Sequence, residues 1–128
     1  MNIITRIISA VTSAGIDCER EYCRKNGYNS AKGVLHAYAG IRKIRLERLR
    51  NGVSDASVQV RVTVQTFGGE GALVQTAAEE IVIPAVMDCG EEVYGAEISE
   101  TFYDIKTDRV YCEVTFDIRR CGYDVCGG

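Results

Sequence analysis

Apolar and polar residues alternate most regularly between residues 58 and 65. Val58, Val60, Val62 and Val64 fall on one side of an extended chain, and Gln59, Arg61, Thr63 and Gln65 on the other. A period of two with β-branched residues on one side predicts a strand with one face buried. A second run repeats the pattern: Val110, Cys112, Val114, Phe116 and Ile118 alternate with Tyr111, Glu113, Thr115, Asp117 and Arg119. Its partner is predicted over Glu92 to Tyr103, with Ala96, Ile98 and Phe102 on one side and Asp104 to Asp108 as the turn. The partner of the valine strand lies upstream, from Val34 to Arg50, with a turn over Arg50 to Ser57 that contains the turn dipeptide Asn51-Gly52. Gly40 interrupts this upstream strand and is expected to mark a bulge or bend. Its second half, Ile41 to Arg50, fits a helix as well as a strand; the strand is favoured because the valine run needs a neighbour. On that reading Ile44 and Leu46 share a face with Arg42 and Arg48, and Ile41, Lys43, Arg45, Glu47 and Leu49 share the other.

Two segments carry helical spacing. Ile4, Ile7, Ile8 and Val11 place a helix over Asn2 to Ala14, with Asn2 as N-cap, Gly15 as the stop and Arg6 facing water. Leu73, Ala77, Ile81 and Ala85, with Val74, Ala78 and Val82 beside them, place another over Ala72 to Met87. Glu79 and Glu80 fall on its wet side, and Pro84 is expected to end or kink it near Ile83. Gly68-Gly69-Glu70-Gly71 precedes it as a flexible joint, and Asp88-Cys89-Gly90 closes it. Ile16 to Arg24 hints at a short strand, Lys25 to Gly33 reads as a loop, and Cys121 to Gly128 as a loose tail. The order α-β-β-β-α-β-β predicts an α+β fold with a mainly antiparallel sheet and two helices on one face.

At 128 residues the chain fits one domain spanning 1–128, and 46% apolar residues suffice for a core without staples. A net charge of −3 argues against general nucleic-acid affinity. No apolar run approaches the ~20 residues that cross a bilayer, and Arg6 inside the first apolar stretch is unlike a signal peptide. The expected location is therefore the cytoplasm. The six cysteines are Cys18, Cys23, Cys89, Cys112, Cys121 and Cys126. Cys18/Cys23 and Cys121/Cys126 each enclose four residues, which leaves free thiols, a disulfide and a metal as readings. Free, buried thiols are favoured, because C-x4-C pairs are weak zinc signals and a cytoplasmic chain stays reduced. No metal or cofactor is expected.

Catalytic patterns are missing. His36 is the only histidine, and no serine or cysteine motif supplies it with a partner. Glu79/Glu80, Glu91/Glu92 and Glu97/Glu100 read as solvated surface carboxylates. Gly68 to Gly71 lacks the Gly-Lys-Ser/Thr ending of a phosphate loop. The strong local feature is the basic run Arg42, Lys43, Arg45, Arg48 and Arg50. It can be a solvated, edge-protecting strand end. It can be a subunit contact that meets acidic residues of another copy. It can also be the contact of a small nucleic-acid or protein-binding domain, with nucleic acid the less favoured partner.

An amphipathic helix ending at Ala14-Gly15 is followed by the V-Q-V-R-V-T-V hairpin, a Gly-rich joint and a helix ending in Asp88-Cys89-Gly90. The hairpin I-S-E-T-F-Y-D-I-K-T-D-R-V-Y-C-E-V-T-F-D-I-R comes last. In topology and hydrophobic pattern this order resembles the tail terminator and tail-completion proteins of long-tailed bacteriophages, and related head-tail joining proteins. The resemblance implies an α+β sheet flanked by helices and a homo-oligomeric, hexameric ring without catalytic residues. The implied partners are the tail tube protein and the head-tail connector protein. The implied locations are the host cytoplasm during assembly and then the virion tail.

Overall fold

A computed structural model describes residues 2–21, 33–50 and 53–120, and the side chains of all of these except 47–50, 53 and 54. Helix α1 (Ile3–Ser13) begins where the Asn2 side chain accepts a hydrogen bond from the Ile4 amide at 2.8 Å. This satisfies one of the amides a helix start leaves open. It ends at Gly15, whose φ of +111° turns the chain out of the helix. Ile3, Ile4, Ile7 and Val11 form its buried stripe.

Strand β1 (Asp17–Arg20) then runs parallel to β2 (His36–Arg50), and β2 turns back into β3 (Val53–Phe67). Strands β4 (Glu92–Ile98), β5 (Phe102–Asp104) and β6 (Arg109–Arg120) complete the sheet in the order β1-β2-β3-β6-β4, with β5 beside β6. Only the β1–β2 pair is parallel. The fold is α+β with a mainly antiparallel sheet, as the alternation predicts.

Between α1 and the last strands lies a contiguous helical segment. It comprises α2 (Gly71–Ala77), a π-helical turn (Ala78–Val82) and α3 (Ile83–Met87). Of the two outcomes expected at Pro84, an end or a kink near Ile83, the segment does not end there; the helix is interrupted just before it. The turn ahead of it widens, with the Ile83 amide bonding to the Ala78 carbonyl, and α3 starts anew with proline in its first turn. The buried stripe is Val74, Ala78, Val82 and Val86, with Ala77 beside it; Leu73, expected inside, is 40% exposed. A repeat of four residues drifts by about 40° per step on a helix of 3.6 residues per turn. The wider π turn offsets that drift and keeps the stripe on one face.

Helix α1 packs on β1 and β2, and the second helical segment packs on β3, β6 and β4. Both cover the same face of the sheet. There Ala37, Ala39, Val58 to Val64 and Cys112 to Ile118, taking alternate residues, are buried with the helix stripes in one cluster.

Four further expectations change. The hairpin turn is shorter: β3 begins at Val53, and Asn51-Gly52 itself lies outside the described residues. Val34 and Leu35 precede β2 and are not part of it. The stretch from Glu92 to Tyr103 is two strands, parted at Ser99, whose amide bonds to the Glu113 carbonyl at 2.8 Å and whose hydroxyl accepts from the Glu113 amide at 2.9 Å. The bulges on β2 fall between Ile41 and Lys43 and between Leu46 and Arg48, not at Gly40. At Gly40 the Glu21 side chain lies over the backbone: a Cβ there would be 2.6 Å from its carboxylate oxygen, a contact the flexible glutamate can relieve.

Candidate subunit interface

The basic run occupies the outer edge of the sheet. Strand β1 covers β2 only from His36 to Ala39. From Gly40 to Arg50 no described residue pairs with the outer side of β2, while its inner side follows β3 to the last pair, Arg50 with Val53. This long stretch is therefore a strand held in its own sheet, not a detached arm, and among the described residues nothing pairs with its outer row of backbone donors and acceptors. Its end passes the last β3–β6 pair, Ala56 with Arg120.

Arg42, Lys43 and Arg45 are all exposed on this edge. Lys43 stands opposite Gln59 and Arg45 opposite Ser57, so both point to the polar face of the sheet, and Arg42 is the extra residue of the bulge. Arg48 and Arg50 continue the same strand opposite Asp55 and Val53. The bulge corrects the expected face assignment. One inserted residue flips every later side chain, so Ile41, Ile44 and Leu46 fall on the helix side, opposite Val60, Val58 and Ala56. Those three partners are buried, whereas Ile41, Ile44 and Leu46 are 43%, 38% and 58% exposed. The edge thus carries a cationic side and an uncovered apolar side.

The opposite edge is acidic. Strand β4 pairs only with β6 among the described residues, and Glu92 and Glu97 are exposed on it. Between the two edges the polar face holds two shallow depressions. One, of about 150 Å³, is lined by Lys43, Arg45, Ser57, Gln59, Tyr94 and Asp117. The other, of about 250 Å³, includes Arg42, Gln59, Glu97, Ser99, Glu113 and Thr115. Side chains cross the strands here: Tyr94 Oη and Ser57 Oγ are 2.7 Å apart, and Gln59 donates to Asp117 at 3.2 Å. Arg61 bonds to Glu21 and lies 3.5 Å from Glu113. Glu97, Glu113 and Asp117 line the same depressions as Arg42, Lys43 and Arg45, a mixed charge that suits a protein surface better than a phosphate backbone.

His36 is nearly buried, with Nδ1 3.6 Å from Asp17, and its Nε2 has no hydrogen-bond partner among the described residues. Among the described residues no group of histidine, cysteine and carboxylate side chains can hold a metal, and no helix is long and apolar enough to cross a membrane. Sequence reasoning missed Glu91. The sequence pairs it with Glu92 as a solvated carboxylate, yet its side chain is 4% exposed and bridges Arg120, at 2.5 and 2.7 Å, and Arg6, at 3.0 Å. Arg6, expected in water, is thereby tied to the far end of the chain. Adjacent glutamates give no signal to tell the buried one from the exposed one.

Cys18, Cys89 and Cys112 are free thiols, and Cys18 and Cys112 are buried; Cys23, Cys121 and Cys126 lie outside the described residues. Burial, then Asp17 and Glu19, pushes the Cys18 thiol from its ordinary 9.0 up to about 12. Burial, then Glu113 and Glu79, pushes Cys112 up to about 11. Both are raised, so the native chain holds these protons more tightly than the unfolded chain does. Their contribution to stability is complete below pH 9.0 and is lost as pH climbs through 11 and 12. Alkylation near neutral pH, mapped by mass spectrometry, is expected to be much slower at both sites in the native chain than in denaturant. Equal rates in the two states would contradict the burial.

In comparisons with known proteins, no family model matches the chain, and no curated protein matches it.

Proposed function

We propose that this chain is a structural subunit of a phage or prophage virion, one that assembles as a ring, caps the tail tube and helps join tail to head. The observation that carries the reading is the open outer edge of β2 from Gly40 to Arg50, in a sheet whose other edge, β4, is also open among the described residues. Two unlike open edges suit a heterologous contact, which repeats head to tail and makes a ring where its rotation closes. The resemblance in topology to tail terminators supplies the biological setting: host cytoplasm during assembly, then the tail. The role is geometric: a completed ring stops further addition of tube subunits. The tail tube protein and the head-tail connector protein are the partners this role requires.

Sedimentation of the purified chain, alone and with tail tube protein, tests the reading. A ring-sized species is expected, with six copies the number the resemblance implies. A strict monomer in both conditions would sink it. If the chain instead bound DNA or RNA with a steep salt dependence that vanished on neutralising Arg42, Lys43 and Arg45, a nucleic-acid-binding domain would replace it.

A further inference from the structure

Register places the two open edges at the same level of the sheet. Following the pairs across β6 and β3, Glu92 shares a row with Arg119, Ser57 and Arg45. Val93 shares one with Ile118, Val58 and Ile44, and Ala96 one with Phe116, Val60 and Ile41. Glu97 falls in the row of Thr115, Arg61 and Gly40. Strand β4 also runs opposite to β2, because three antiparallel pairings separate them. A second copy set beside the first, with no shift along the strands, therefore brings β4 of one copy against β2 of the next in antiparallel order.

From this we infer that the edge of β2 from Gly40 to Leu46 binds the edge of β4, from Glu92 to Glu97, of a second copy of this chain. The inference rests on the ring reading and deepens it by naming the two surfaces that meet. In the unshifted register Glu92 stands opposite Arg45, Val93 opposite Ile44, Ala96 opposite Ile41 and Glu97 opposite Gly40, two residues before Arg42. Directly opposed residues share a face, so charge meets charge on the polar side and apolar meets apolar on the helix side. The exposed Ile41 and Ile44 gain a cover. Within Gly40 to Leu46 there are three cations and no carboxylate, and within Glu92 to Ile98 two carboxylates and no cation. Like edges repel and unlike edges attract, which selects head-to-tail growth over a two-fold pair of β2 edges. Strand β1 sets the limit of this pairing: Arg20 already occupies the outer side of β2 in the row of Ala39, which is also the row of Ile98, so the contact runs from Glu92 to Glu97. A groove of about 570 Å³, lined by Ile4, Arg20, Glu21, Ala39, Gly40 and Ile41 among others, opens at that junction.

Charge reversal tests the pairing. One variant carries Arg42→Glu with Arg45→Glu, the other Glu92→Lys with Glu97→Lys; all four side chains are exposed, and a circular dichroism spectrum like the parent's checks each fold. Each variant alone is expected to sediment as a monomer under conditions in which the parent forms rings, and an equal mixture of the two is expected to reassemble. Parent rings are also expected to loosen as salt rises. If the parent assembles and either variant does so equally well, the edge pairing is overturned while the ring reading stands. Parent rings indifferent to salt overturn it in the same way, without relying on any variant. A parent that stays monomeric with and without tube protein overturns both.

Discussion

Phe116→Ala is expected to destabilise the chain by about 3–5 kcal/mol, the usual cost of truncating a buried aromatic ring. Phe116 is fully buried on β6, opposite Val60 of β3 and Ala96 of β4. Its face is the one on which the second helical segment packs. Removing the ring leaves a cavity in the middle of the sheet, where hydrogen-bonded strands on both sides prevent the backbone from closing in. Thr115→Ala, one residue away on the polar face, is expected to cost little by comparison. Urea denaturation of the two variants checks the contrast. Similar midpoints would mean that the helix-side face is not the core described here. A loss of this size is a large fraction of the stability of a small domain, so Phe116→Ala is expected to unfold partly at physiological temperature.

Glu91→Ala is expected to cost about 3 kcal/mol, and Glu92→Ala close to nothing for the isolated chain. Removing one partner of a buried ion pair leaves the other charge uncompensated, which typically costs about 3–5 kcal/mol. The lower end applies because the arginines retain some water: Arg120 is 15% and Arg6 34% exposed. Arg120 holds both carboxylate oxygens, at 2.7 and 2.5 Å, and this bidentate geometry makes it the stronger partner. Arg6→Ala removes the more exposed contact and is expected to cost about 1 kcal/mol or less. Denaturation midpoints of the three variants give the order Glu91, Arg6, Glu92. Equal effects of Glu91→Ala and Glu92→Ala would contradict the burial of one and the exposure of the other. Glu92→Ala instead separates stability from assembly: through its lost contact with Arg45 of the next copy it is expected to weaken rings without lowering the midpoint.

Much of the fold is legible because burial on one face of a sheet imposes a period of two. The valine run and the Val110 to Ile118 run announce β3 and β6, the two central strands, and their buried faces are the ones the alternation indicates. Helix α1 is equally legible, with cap, stripe and stop each written in local residues. The basic run could be seen as a charged strand, and the structure brings Arg42, Lys43 and Arg45 onto one open edge. Its face assignment could not be read, because the bulge after Ile41 is a tertiary compromise with β3 and leaves no mark in the alternation. The same holds for the break at Ser99 and for the π turn before Pro84, which local propensity reads as a stop.

Short-range pattern therefore determined which segments are strands and helices, which of their faces are apolar, and the α+β class. Those properties follow from neighbours two to four residues apart. Tertiary structure alone decided three others. It set β1 parallel to β2 and ended it at Arg20, so that beyond Ala39 no described residue pairs with the outer side of β2. It drew Glu91 between Arg6 and Arg120, residues distant in the chain, while leaving Glu92 in water. And it put the cationic edge and the acidic edge in common rows at opposite sides of one sheet. Strand order and register arise from contacts between segments far apart in sequence, and the position of an edge exists only once every other strand has found its neighbour.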